Sequence, residues 1–146
     1  PWEKDETDML AAIRLGLKKG YRAFYLYGGT GGRTDHTLAN LQCLAFLSKR
    51  GARGFLFGAN EAITAITDGE IAWGPGGRGT VSVFAHGGRA EGVSIRGLKY
   101  PLCGAVLRDD FPLGVSNELI GESAEVRVGK GTLAVIYPLG AHALMR

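Results

Sequence analysis

The sequence predicts an α/β segment, a parallel sheet with flanking helices, followed by an all-β sandwich or barrel. Three observations carry this expectation. Two stretches with apolar residues at helical spacing alternate with two short apolar runs over residues 1–60. Helical periodicity then stops, and short strand-like runs separated by glycine, proline or aspartate fill residues 61–146. Glycine supplies 24 of the 146 residues, more than twice the usual ~7% and without a three-residue period, which reads as many tight turns.

The elements follow in order. Asp5 or Thr7 caps a first helix that reaches about Lys19, with Met9, Leu10, Ile13 and Leu17 at helical spacing and Gly20 just beyond. Residues 22–27 are rich in aromatics and end abruptly in glycines, which predicts a buried strand. A second helix starts near Asp35 or Thr37, runs through Leu38, Leu41, Leu44, Ala45 and Leu47, and stops before Gly51. Residues 54–58 (Gly-Phe-Leu-Phe-Gly) fit a central strand. Helix, strand, helix, strand is the order of a parallel sheet covered by helices. Residues 62–67, 70–73, 80–85, 91–95, 104–107, 124–128 and 133–137 are short strand candidates of an antiparallel unit. The expected division is residues 1–60 and 61–146. The chain opens on Pro1, with an acid-rich motif almost at once. We therefore expect a fragment whose α/β part is incomplete at the N-terminus.

Bulk properties narrow the function classes. The chain is 45% hydrophobic and 21% charged, as in ordinary globular proteins, and its net charge is +3 without a Lys/Arg tract. That suits an anionic small ligand and gives no nucleic-acid footprint. No apolar run approaches the ~18 residues of a membrane span, and no signal-peptide pattern opens the chain. Cys43 and Cys103 form neither a CxxC pair nor a disulfide framework, and both have apolar neighbours, so reduced core thiols are expected. The picture is cytoplasmic.

Three motifs could carry chemistry. Lys4-Asp5-Glu6-Thr7-Asp8 stands at a helix start. Carboxylates there are favoured by the helix dipole and by unpaired amides, so a capped helix explains part of it. Clustered hard oxygens also suit Mg2+ bridging to phosphates. Gly28-Gly29-Thr30-Gly31-Gly32-Arg33-Thr34-Asp35-His36 is a strand-to-helix loop matching neither the Walker pattern nor the dinucleotide fingerprint. Glycines let backbone amides approach a phosphate, Arg33 offers a planar fork, Asp35 can bind metal or orient His36, and His36 can relay a proton. The plain alternative is that Asp35 caps the helix and His36 is a solvated first-turn residue. Gly97-Leu98-Lys99-Tyr100-Pro101-Leu102 and Gly114-Val115-Ser116-Asn117-Glu118 read locally as turns between strands.

Taken together and in this order, these motifs resemble those of the thiamine pyrophosphokinase family, in the bacterial style. Lys4-Asp5-x-Thr7-Asp8 resembles its acidic helix start, and Gly31-Gly32-Arg33-x-Asp35-His36 its glycine-rich loop. Gly97-Leu98-Lys99-Tyr100-Pro101-Leu102 and Ser116-Asn117-Glu118 resemble the two turn motifs of its thiamine-binding β-domain. The resemblance covers residues 2–137, nearly the whole chain. Family members carry further aspartates upstream of these motifs that help hold Mg2+ and ATP, and no segment here corresponds to them.

The resemblance implies transfer of the β,γ-pyrophosphoryl group of ATP to the hydroxyl of thiamine, giving thiamine diphosphate and AMP, with Mg2+ as cofactor. It implies Asp8, with Asp5, as metal ligands; Lys4, Gly31, Gly32 and Arg33 at the ATP phosphates; and Asp35 and His36 orienting the loop. Ser116 and Asn117 would hydrogen-bond the aminopyrimidine of thiamine, and Tyr100 would either stack on a ring or pack in the core. A homodimer with sites at the subunit interface is also implied. Two enzyme-free alternatives stand beside this reading, a non-catalytic thiamine or thiamine phosphate-binding module and a structural β-rich interaction domain. A third is another ATP-dependent phosphotransferase.

Overall fold

The structure, a computed structural model, describes residues 6–28 and 32–146. Lys4, Asp5 and Gly31 lie outside the described residues. The first part runs α1 (Asp8–Lys18), β1 (Ala23–Tyr27), α2 (Thr34–Ser48) and β2 (Arg53–Phe57). Thr7 caps α1, its Oγ1 accepting the Leu10 N–H at 3.2 Å. The helix ends on Gly20, whose φ of +92° favours glycine. There the Tyr21 N–H reaches the Gly16 carbonyl and the Gly20 N–H the Leu17 carbonyl, both at 3.0 Å, which satisfies carbonyls the helix leaves open.

The second part is β3 (Glu61–Thr67), β4 (Glu70–Trp73), β5 (Arg78–Arg96), β6 (Leu102–Leu107), β7 (Gly114–Ile120), β8 (Ala124–Arg127) and β9 (Lys130–Pro138), closed by a 3₁₀ turn, Leu139–Leu144. Among the described residues the strands join in a single nine-stranded sheet, ordered β1-β2-β3-β9-β5-β8-β4, with β6 and β7 also paired to β5. The sheet curls back on itself through the 19-residue β5. Trp73 of β4 thereby meets Tyr137 of β9 across the core, ring centroids 5.6 Å apart.

Several expectations need correction. The parallel part is a single pair, β1 with β2 in register Ala23↔Arg53 to Tyr27↔Phe57, and β3 already runs antiparallel to β2. Ile13 of α1 and Leu44 and Leu47 of α2 bury in one cluster with Leu26, Leu56 and Ile63, so both helices cover one face. Because side chains alternate across a strand, the other face carries Tyr25, Tyr27, Phe55 and Phe57, with Tyr25 stacked on Phe55 and Phe57 at 5.6 and 6.0 Å. Residues 80–85 and 91–95, expected as two strands, form the single β5, whose register on β9 shifts between His86 and Glu91. Residues 114–118, read as a turn, belong to β7. Cys43 is buried, but Cys103 is exposed because β6 shows one face to solvent.

His142 of the 3₁₀ turn bonds Tyr137 through Nδ1 at 2.8 Å and sets its ring edge-on to Phe55 and Phe57 at 5.0 and 4.9 Å. Burial lowers its pKa from the usual 6.5, so the folded chain holds fewer protons here than the unfolded one. His86 is lowered too, by burial and then by Lys49. For a depressed histidine, stability is present above the unfolded value and is lost as pH falls through it. Melting temperature should drop between pH 7 and pH 5, and His142→Asn should flatten that slope. A variant with the wild-type slope would place the pH sensitivity elsewhere.

Candidate active site

The starts of α1 and α2 and the end of β1 meet around one cavity of about 260 Å3. Thr7 and Asp8 reach it from α1, Tyr27 and Gly28 from the end of β1, and His36 and Asn40 from α2. The carboxyl ends of parallel strands leave such crevices between the helices that follow them, and the helix N-termini add amide donors. Asp8 arrives there because Thr7 takes the cap and leaves Asp8 in the first turn.

Arg33 and Asp35 stand at the same helix start and pair with each other. The guanidinium donates from Nε to Oδ1 at 3.2 Å and from Nη2 to Oδ2 at 2.7 Å, and the His36 N–H also bonds Oδ1 at 2.9 Å. Arg33 holds the Asp35 carboxyl below its ordinary range. Both side chains are exposed, and neither lines the cavity. Asp35 therefore orients the fork of Arg33. Gly32 precedes them with a φ of +74°.

Asn40 is the residue that sequence reasoning missed. It is 9% exposed, one helical turn after His36 on the face that also buries Cys43, Leu44 and Leu47. An amide interrupting an apolar helical stripe was the available signal. Among the described residues, no group of three or more His, Cys, Asp or Glu could hold a metal ion. Asp8 offers one hard carboxylate, which fits Mg2+ when phosphate oxygens and water complete the shell.

The second group lies in the β-rich part. Residues 97–101 form a turn laid against β7, with Leu98 bridging Leu119 and the Lys99 N–H on the Glu118 carbonyl at 3.0 Å. Tyr100 is 57% exposed, so its ring is not in the core. Ser116 has a φ of +61° and is exposed, and its N–H donates to Ser82 Oγ at 3.0 Å. Asn117 is buried and bonded to the Tyr100 backbone. None of these three lines the Asp8–His36 cavity.

Gly97 makes the turn sterically feasible. Its φ is +73°, and a Cβ there would strike the Ser123 carbonyl and come within 2.9 Å of Ala124 Cα. Gly97→Ala should cost at least ~2 kcal/mol, adding backbone displacement to the left-handed penalty of about 1–2 kcal/mol. Urea titration measures it, and an unchanged midpoint would contradict the packing described.

Residues 1–56 match the family model described as thiamin pyrophosphokinase, catalytic domain, and residues 72–133 match thiamin pyrophosphokinase, vitamin B1 binding domain. Thiamine pyrophosphokinase of Bacillus subtilis (strain 168) is 30% identical over 135 residues, covering 92% of this chain and 63% of the relative. The crystal structure of thiamine pyrophosphokinase from Bacillus subtilis superposes with a TM-score of 0.84 at 28% identity, over 93% of this chain and 64% of that one. Thiamin pyrophosphokinase from Geobacillus thermodenitrificans gives 0.80 at 28% identity, over 94% and 64%. The chain thus spans less than two thirds of the length of these relatives. With both family models matched in order and the fold shared, the chain belongs to the thiamine pyrophosphokinase family.

Proposed function

We propose that this chain serves the formation of thiamine diphosphate from thiamine and ATP. One observation carries the reading: the cavity of Asp8, Gly28 and His36 lies in the part matching the catalytic model, and Tyr100, Ser116 and Asn117 gather in the part matching the vitamin B1 binding model. Residues 1–60 would handle the polyphosphate and residues 61–146 the vitamin. The thiamine hydroxyl oxygen attacks the β-phosphorus of ATP, the bond from that phosphorus to the α–β bridging oxygen breaks, and AMP leaves with the oxygen. The hydroxyl proton passes to solvent or to a nearby base.

The residues act mainly by positioning and charge neutralisation. Arg33, its fork set by Asp35, meets phosphate oxygens, and the start of α2 adds amide donors. His36 is the group at the cavity suited to hold or move a proton. Lys4 and Asp5 would extend this set. Mg2+, held by Asp8 with Asp5, would supply neutralisation of phosphate charge.

A homodimer completes the reading. Phe111, Leu113 and Val115, all exposed and close in sequence to Ser116, support an interface near the thiamine residues. Among the described residues no helix is long and apolar enough to cross a membrane. The free thiols of Cys43 and Cys103 suit a reducing cytoplasm.

The test is product analysis with the full-length protein. Thiamine-dependent AMP and thiamine diphosphate are expected. ADP would indicate another phosphotransferase, and thiamine binding without turnover a binding module. Ser116→Ala should raise the thiamine KM roughly fivefold, about 1 kcal/mol for one hydrogen bond, with the ATP KM unchanged. An effect confined to ATP would misplace Ser116.

A further inference from the structure

We propose that Asn117 is a positioning residue that acts through the turn bearing Tyr100, and does not itself contact the ligand. This rests on the reading above, in which Tyr100 and Ser116 face thiamine. A carboxamide offers two acceptor lone pairs and two N–H donors. Asn117 Oδ1 accepts the Tyr100 N–H at 2.9 Å and the Glu118 N–H at 2.9 Å, which uses both lone pairs. Its Nδ2 donates to the Tyr100 carbonyl at 2.7 Å. Only one N–H is left, on a side chain that is 4% exposed.

Two bonds to the N–H and C=O of one residue reproduce what a neighbouring strand would supply. The clamp continues the pairing of Leu98 with Leu119 and of Lys99 with Glu118 by one more residue. It fixes the amide orientation too, because a flipped carboxamide would set Nδ2 against the Tyr100 N–H and Oδ1 against its carbonyl. The backbone of Tyr100 is thereby held on both sides, and its ring is presented to solvent.

The strand is shaped for this. Val81 pairs with Asn117 and Val83 with Gly114, so three steps on β7 oppose two on β5. One extra residue is a bulge, a device that re-aims side chains. Val115 and Ser116 consequently both face outward, and Asn117 turns in to meet the turn. The left-handed backbone at Ser116 is the strained point of this arrangement. Asn117 thus ties the outward Tyr100 to the strand that presents the outward Ser116.

The experiment is a double-mutant cycle on the full-length protein, reading thiamine Kd by calorimetry for wild type, Tyr100→Ala, Asn117→Asp and the double variant. Asn117→Asp keeps shape and the acceptor but places an oxygen against the Tyr100 carbonyl. We expect each single change to weaken thiamine about tenfold, and the double change to be no more than about twofold worse than either. Exchange of the Tyr100 amide, followed without ligand, should quicken in Asn117→Asp. Effects that multiply to about a hundredfold would make Asn117 an independent ligand contact and overturn the proposal. Unchanged amide exchange would also overturn it, whatever the ligand. Wild-type affinity in Tyr100→Ala would instead remove the thiamine-site reading on which the clamp depends. If Asn117→Asp fails to fold, Asn117→Ser, which is too short to span both Tyr100 groups, is read in the same cycle.

Discussion

Asp8→Asn in the full-length protein should lower kcat/KM for thiamine diphosphate formation by a factor on the order of 10²–10³, about 3–4 kcal/mol, while the fold survives. The substitution removes one negative charge and almost no volume. Folding tolerates it because Thr7, not Asp8, supplies the cap through its Oγ1. Only the favourable interaction of a carboxylate with the helix N-terminus is lost, typically 0.3–1 kcal/mol at a surface. The large effect is expected on chemistry, since Asp8 lines the cavity shared with His36 and Gly28. A melting temperature within a few degrees of wild type and turnover down a hundredfold would bear this out. Full turnover would mean that Asp8 is only a helix-start acid.

Trp73→Ala should destabilise the chain by about 3–5 kcal/mol, the usual cost of deleting a buried aromatic. Trp73 is fully buried, and its ring meets Tyr137 at an interplanar angle of 61° where the curled sheet closes on itself. For a chain of this size that loss lowers the melting temperature by about 10 °C or more. Trp73→Phe should behave quite differently. The indole Nε1 has no hydrogen-bond partner among the described residues, and a buried unpaired donor costs roughly 1–3 kcal/mol. Phenylalanine gives up part of the apolar contact but relieves that cost, so a net loss below about 1.5 kcal/mol is expected. Chemical denaturation separates the two variants. Equal losses would mean that the Nε1–H is satisfied in solution.

Much of the α/β part was readable because its cues are local. Apolar spacing at Met9, Leu10, Ile13 and Leu17, a capping threonine and a glycine after the last turn act within a few residues of each other. The glycine loop and the acidic helix start likewise stood out, as candidate phosphate sites, from residue type and spacing. That Asp8 and His36 line one cavity while Arg33 does not is decided by the tertiary structure, since residues 8 and 36 meet only after β1 turns the chain back. Asn40 was passed over because its polarity matters only once α2 is packed.

In the β part, alternation and glycine spacing located most strands but divided β5 and missed β7, and pairing partners are far apart in sequence, as β3 with β9 and β5 with β8 show. Ser116 and Asn117 have turn-forming chemistry, and that chemistry is used here inside a strand, at a bulge that exists only because β5 lies alongside. Residue type and spacing therefore decided both helices, most of the strands, and which side chains are candidates for phosphate or metal. Which of those side chains meet, and whether an amide such as Asn117 faces a ligand or a neighbouring backbone, depended on long-range sheet closure, because hydrogen bonds between distant segments are chosen by packing and not by local preference.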